Sequence, residues 1–255
     1  FVNGLLMRNV YLGQLALGIM VLVAVIILIV LMREIAAFTR LSKIDALRHE
    51  VEDATTDSGL PAATHVAKRL DRFYASREEL RWPRQTLAEH QSDILDGPDL
   101  IDLTERQIMA PLDQMAIFEV QTATRNVAAA TALIPLAMVD VLVALTINVR
   151  MVRRIAEVYG GRAGMLGSWR LLRVVATHIL ATGAVAIGDD MISSVAGGGA
   201  LSKFSRRFGE GVINGALTAR VGLAAMDVCR PMPFNALKRP GVSGILKRAL
   251  AGMFK

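Results

Sequence analysis

The chain has 255 residues, of which 53% are hydrophobic, 5% aromatic and 20% charged, with 29 Lys and Arg against 23 Asp and Glu. A soluble domain is about 45 to 50% apolar and about 25% charged, so this balance excludes disorder and leans toward a membrane. A lone cysteine, Cys229, excludes an internal disulfide framework.

From Asn9 to Met32 run 24 residues without a charge, bounded by Arg8 and Arg33. At about 1.5 Å per residue the run covers a hydrocarbon core of about 30 Å and predicts a transmembrane helix. A signal peptide would have a shorter apolar centre and small residues at its exit, whereas here Ile26 to Leu31 lead directly toward Arg33. The chain begins at Phe1, eight residues before the span and without an initiator Met, as expected of a fragment or processed form. Ile35, Phe38, Leu41, Ile44, Leu47 and Val51 then repeat at spacings of three and four, which predicts a helical stalk ending near Asp53 to Pro61. A second helix is expected over 62–80, with Val66, Leu70 and Phe73 on one face and Trp82-Pro83 ending it. A short helix fits 85–95, and Asp96-Gly97-Pro98 reads as a turn before a third helix from Asp99.

The second apolar run, Val127 to Val149, lies between Arg125 and Arg150 and contains Pro135 and Asp140. Its length suffices to cross a bilayer, but an Asp near a helix centre costs about 3 kcal/mol while each Leu, Ile or Val returns about 0.3 to 0.6. Basic residues follow both apolar runs, and both groups favour the cytoplasmic side. The favoured reading is therefore a run buried in a helical domain or dipping into one leaflet, with a plain crossing as the alternative. Asp140 is expected to pin two helices together, through Arg220, or else to form a proton or ion site. Residues 174–188 form a second buried helix, and 208–228 a third with Gly211, Gly215 and Ala219 four apart, a spacing that admits a closely packed neighbour. Pro231 and Pro233 stop it. A tail with Ile245, Leu246, Leu250, Met253 and Phe254 beside Lys247, Arg248 and Lys255 has the pattern of a helix resting on a membrane surface.

Charge is partitioned: residues 33–125 carry 12 basic and 17 acidic side chains, residues 150–255 carry 16 and 5. The basic residues flank apolar helices and lack a reader motif, so anionic lipid headgroups explain them and nucleic acid does not. Gly197 to Phe204 resembles a phosphate loop but has Ser202 where the second Gly belongs and Phe204 where the magnesium-binding hydroxyl belongs. Gly209 to Gly215 is one residue too long for a dinucleotide fingerprint and follows no strand. The histidines, 49, 65, 90 and 178, have no metal-ligand spacing, Asp189-Asp190 reads as a helix cap, and Cys229 reads as a packed thiol. No cofactor, metal or catalytic residue is assigned, and the chain is read as a non-enzyme.

Two blocks carry a resemblance. Ile134-Pro-Leu-Ala-Met-Val-Asp140 continuing through Asn148 to Tyr159-Gly160, and Leu217-Thr-Ala-Arg220-Val-Gly222 continuing through Met226, Cys229-Arg230-Pro231-Met-Pro233-Phe234, resemble the YcjF family of proteobacterial inner-membrane proteins. The likeness in layout extends over nearly the whole chain. Family members have a further N-terminal region and an earlier span, in keeping with a fragment that starts between two spans. The resemblance implies a bacterial inner-membrane location and a cytoplasmic YcjX-like P-loop NTPase as partner, linked to envelope stress.

Together these readings predict an all-α membrane protein with at least one transmembrane helix, a long helical stalk and a helical bundle. Its parts are a transmembrane segment over 1–32, a stalk and acidic helical region over 33–125, and an apolar helical domain with a basic amphipathic tail over 126–255. Most of 33–255 is expected in the cytoplasm. The expected role is an anchor or adaptor for the NTPase, in contact with the lipid bilayer and its anionic headgroups; the alternative is a transporter or channel component using Asp140. Pro135, Asp140, Asn148, Tyr159, Gly160, Gly211, Gly215, Arg220, Arg230 and Pro231 are the structural or interaction candidates.

Overall fold

A computed structural model of the chain describes residues 11, 14, 17–22, 25, 28–29, 44, 46–56, 59–133, 137–160, 173–175, 177 and 200–252, with side chains described outside 137–140 and 200–207. Among the described residues there are helices and no strand. The described residues of the expected first span are helical and exposed, Leu17, Met20, Leu22, Leu28 and Ile29 among them, as a lipid-facing helix requires.

Residues 46–56 are helical, and Leu47, Val51 and Ala54 are buried together with Ile44, so the described end of the predicted stalk is docked in the core. Arg48 fastens it there by donating from Nη1 to the Asp227 carbonyl at 2.8 Å. Helix α1, Leu60–Phe73, starts on Pro61, whose fixed φ suits a first turn, and buries Ala63, Val66, Ala67 and Leu70 as one stripe. It ends at Tyr74, well before the predicted position. A 3-10 turn at Glu78–Leu80 leads into α2, Arg81–His90, so Trp82-Pro83 lies in the first turn of a helix and does not terminate one. Proline is tolerated there because the N–H it lacks would have no intrahelical partner.

Helix α3, Gly97–Thr104, widens into a π turn at Glu105–Met109 and runs on as α4, Ala110–Leu133. Helix α5, Ala137–Val158, returns antiparallel to α4, since Arg154 meets Glu119 at 3.2 Å and Tyr159 meets Asp113 at 2.6 Å. The apolar run over 127–149 is thus not one straight helix. It is divided between the two arms of a hairpin, with the connection at 134–136 outside the described residues.

Helix α6, Ala200–Cys229, packs most extensively on α4. A Cβ at Gly211 would stand 2.6 Å from the Ala128 carbonyl oxygen, and one at Gly222 would stand 2.5 Å from a Val120 methyl. Gly215 faces Thr124 and Ala128 between them, so the expected small-residue face is a helix contact, with Gly222 added to it. Among the described residues, the stretch Phe208–Cys229 alone is long and apolar enough to cross a membrane, and half of it is buried inside the protein. Its apolarity serves the bundle interior, where Ala219, Leu223, Ala225 and Met226 are buried.

Helix α7, Val242–Ala251, closes the bundle. Ile245, Leu246 and Ala249 are buried against α4 and α6, while Lys247 and Arg248 are exposed. Of the apolar residues that the tail was expected to lay on a membrane, Ile245 and Leu246 are covered by protein and Leu250 is half-buried. Met253, Phe254 and Lys255 lie outside the described residues, as do His178 and Asp189-Asp190.

Candidate functional site

At the end of the bundle away from the hairpin tip, the chain buries three charges. Arg230 is 1% exposed, Glu105 0% and Asp113 6%. Arg230 follows the last residue of α6 and points across the bundle. Its Nε and Nη2 donate to Asp113 at 3.0 Å each, and Nη2 also donates to Glu105 Oε1 at 2.9 Å. Its Nη1 donates to the carbonyls of Met232 and Pro233 at 2.5 and 2.7 Å. All five N–H donors of the guanidinium are therefore within reach of an acceptor. The Phe234 ring lies 3.9 Å from the guanidinium carbon, a cation-π contact on its face.

The two carboxylates are held just as fully. Glu105 occupies the first position of the π turn, and its Oε2 accepts the backbone N–H groups of Asn235 and Ala236 at 3.1 and 2.7 Å. Asp113 Oδ1 accepts the hydroxyl of Tyr159 at 2.6 Å. Tyr74 donates in turn to the Tyr159 carbonyl at 3.0 Å, and Arg77 donates to the Glu157 and Val158 carbonyls at the end of α5. Gly160 follows with φ +96, where a Cβ would meet the Phe73 ring at 2.7 Å, so glycine suits both the backbone and the space.

Burial disfavours charge on Arg230, but the bonds and charges of Asp113 and Glu105 outweigh it and raise its pKa. Burial, reinforced by the Asp113 charge and bond, raises the Tyr159 pKa above the usual tyrosine range. Tyr74 is likewise raised, chiefly by burial. The cluster holds a permanent cation between two anions, with its surplus negative charge met by backbone amides and a phenol. Such an arrangement has no donor or acceptor directed at a substrate. It joins α1, the π turn, α4, α5 and the segment after α6.

Of the sequence candidates, Arg230 is the centre of the cluster, Tyr159 and Gly160 belong to it, and Pro231 is buried beside it. Asn148 lies elsewhere, on α5, donating from Nδ2 to the Ala144 carbonyl at 2.8 Å and toward Thr218 on α6 at 3.4 Å. Pro135 lies outside the described residues, and of Asp140 the backbone alone is described, as part of α5. The expected link between Asp140 and Arg220 therefore lies outside the described residues. Helices α5 and α6 run parallel, with Asn148 beside Thr218 and Met151 beside Gly222. Glu105, Asp113 and Tyr74 were not anticipated. Glu105 follows the apolar series Ile101, Ile108, Leu112, and Asp113 the series Met109, Ala116, Val120, so an acid on each buried stripe was the available signal. Among the described residues no group of His, Cys, Asp and Glu is arranged to hold a metal ion.

Comparison with known proteins bears on this arrangement. Residues 95–255, which hold the hairpin, α6 and most of the cluster, match the family described as a domain of unknown function, DUF697. UPF0283 membrane proteins of Rhizobium etli and Agrobacterium fabrum are 41% and 40% identical over 245 residues, 96% of this chain and 68% of each relative. One from Sinorhizobium medicae is 42% identical over the same shares. The chain belongs to this family. UPF0283 members are named as membrane proteins, and this one is an all-α member in which buried charges lock the DUF697 region. No solved structure matches the chain.

Proposed function

We propose that this UPF0283 protein is a non-enzymatic inner-membrane anchor or adaptor, YcjF-like in type, for a cytoplasmic P-loop NTPase. The observation that carries the reading is the polarity of the bundle along α4. Leu133 is exposed at one end of α4, as are Val141 and Leu142 early in α5, and at its other end α4 continues back through the π turn into α3, which packs on the charged helix α1. Between α1 and α2 runs a groove of about 280 Å³ lined by Lys68, Asp71, Arg72, Arg84, Leu87 and Gln91, and Trp82 stands exposed on α2. Its charges, and those of Arg84 paired with Asp71 at 2.7 Å, suit a protein surface better than a small apolar ligand. The strongly buried ionisable groups of the described chain are engaged with one another, which supports a scaffold over a catalyst.

The test is a photo-crosslinker placed at Trp82 or Gln91 in cells. Recovery of a P-loop NTPase from both positions, and not from a position on the far side such as Arg248, is expected. Failure to recover any NTPase from either position defeats the adaptor reading. Ion flux into liposomes that disappears with Asp140→Asn would favour the transport alternative.

A further inference from the structure

The groove between α1 and α2 is basic, although it lies in the acidic part of the chain. Buried Ala67 and Leu87 form its floor, and Ala75 and Ala88 are too short to fill the space of about 280 Å³. Three cations and one anion also line it. Arg84 takes the anion: its Nε and Nη2 donate to Asp71 Oδ1 and Oδ2 at 2.7 and 3.2 Å, and its Nη1 donates to the Ala75 carbonyl at 3.2 Å. Lys68 and Arg72 are left over. Both are exposed, and neither makes a hydrogen bond or an ion pair with any described residue. They stand four residues apart on α1, so their side chains leave the same face of the helix about 6 Å from one another. We propose that this groove seats an acidic peptide segment of a partner protein, whose carboxylates pair with Lys68 and Arg72.

This inference rests on the reading of the groove as the partner's seat and adds the chemistry that the partner brings to it. The charge balance comes first. With Asp71 committed to Arg84, the lining carries two unmatched positive charges, which a basic or neutral segment would leave unmet. The spacing comes next, since acids three or four residues apart on a helical segment recur at the pitch of Lys68 and Arg72. One exposed ion pair contributes little, so recognition needs both cations. The floor selects a peptide over a free phosphate. A phosphate would meet the cations and leave Ala67 and Leu87 bare, whereas the methylene and methyl groups of a peptide cover them. The surroundings select a short acidic segment over a nucleic acid. Residues 33–125 carry 17 acidic side chains, which repel a continuous row of phosphates but not a segment confined to the groove.

The experiment treats membranes of cells carrying the full chain with a water-soluble carbodiimide, which joins an amine to a carboxylate in contact with it. The amide forms between Lys68 Nζ and the carboxyl carbon, and the displaced oxygen leaves on the reagent as its urea. Mass spectrometry is expected to find Lys68 joined to an Asp or Glu of a different protein, in a peptide with a second acid within four residues. Lys68→Arg keeps the charge and loses the amine, so it should abolish that linkage while a photo-crosslinker at Gln91 still captures the same protein. Lys68→Glu with Arg72→Glu should lower capture from Gln91 severalfold. Lys68→Gln with Arg72→Gln should act in the same direction without placing an acid in the last turn of α1. Capture from Gln91 that neither double variant changes overturns the proposal. So does coupling of Lys68 only to carboxylates of this chain, within one copy or between two, and so does a lipid or nucleic acid as the Gln91 adduct. The adaptor reading is judged separately. An NTPase captured at Gln91 regardless of these charges upholds that reading and overturns the acidic segment, whereas an acid-coupled partner that is not an NTPase does the opposite. Capture of no protein at Gln91 overturns both.

Discussion

Arg230 cannot be replaced by a neutral residue without consequence, because its removal leaves Glu105 and Asp113 facing each other through protein. Breaking a buried charge network from one side costs about 3 to 5 kcal/mol, much of it the desolvation of what remains. Arg230→Met should therefore lower the thermal midpoint of the detergent-solubilised chain, followed by circular dichroism, far more than Tyr159→Phe, which forfeits one hydrogen bond of about 1 to 2 kcal/mol. Equal effects would mean that the carboxylates are not held by the guanidinium. The tyrosines supply a second residue-scale expectation. Tyr74 and Tyr159 have raised pKa values when folded, so above the ordinary tyrosine value of 10.0 the unfolded chain releases protons that the folded chain keeps. Their stabilising contribution is complete below that pH and is lost as pH rises past it, by up to about 1.4 kcal/mol per pH unit for each. Urea midpoints at pH 8 and pH 11 should diverge less in Tyr159→Phe than in the parent; an unchanged divergence would contradict the burial of that phenol. At this scale the sequence was half legible. Arg230, Tyr159 and Gly160 stand in the resemblance blocks, whereas Glu105 and Asp113 looked like ordinary acids of a charged region because their partner lies over 110 residues away.

Among the helices, the contact of α6 with α4 depends on the absence of side chains at three positions. Alanine normally favours a helix over glycine by about 1 kcal/mol, yet at Gly222 the new methyl would overlap both methyls of Val120. Gly222→Ala should thus destabilise by about 1 to 3 kcal/mol, and Val120→Ala should restore part of the loss in the double variant. A simple gain from Gly222→Ala in thermal melts would show that α6 stands further from α4. The small-residue spacing at Gly211 and Gly215 was readable because helix periodicity is local. Where α1 ends was not, since proline is equally compatible with the start of the next helix. For the run over 127–149 burial in a helical domain was a favoured reading, but its division into two arms was not readable, because an apolar stretch of that length has the same composition whether straight or folded at its middle. What covers the basic tail was not readable either, because an amphipathic face does not state whether lipid or protein lies against it.

For the whole molecule, the all-α class and membrane association were legible from composition and the first apolar run. The arrangement of the bundle was not, because it follows from long-range pairings such as Glu119 with Arg154 and Arg48 with Asp227. The antiparallel hairpin places α1 to α3 and α7 on the same side of any bilayer that its tip meets. Cysteines at exposed Ser92 and Ser243 should therefore both react with an impermeant maleimide from one face of oriented vesicles. Labelling from opposite faces would require the bundle to come apart.

The ionic lock also orders events during synthesis. Glu105 and Asp113 leave the ribosome long before Arg230, which is 125 and 117 residues further along. Until then the two acids have no cation assigned to them in the finished fold, and water must solvate them. The interior at that end therefore stays hydrated while α4 and α5 are already available to pair, and it dries only when the segment around Arg230 arrives. Contacts of such large separation are slow to form. A chain halted before Arg230 would present an open, acidic seam of the kind that chaperones and proteases examine.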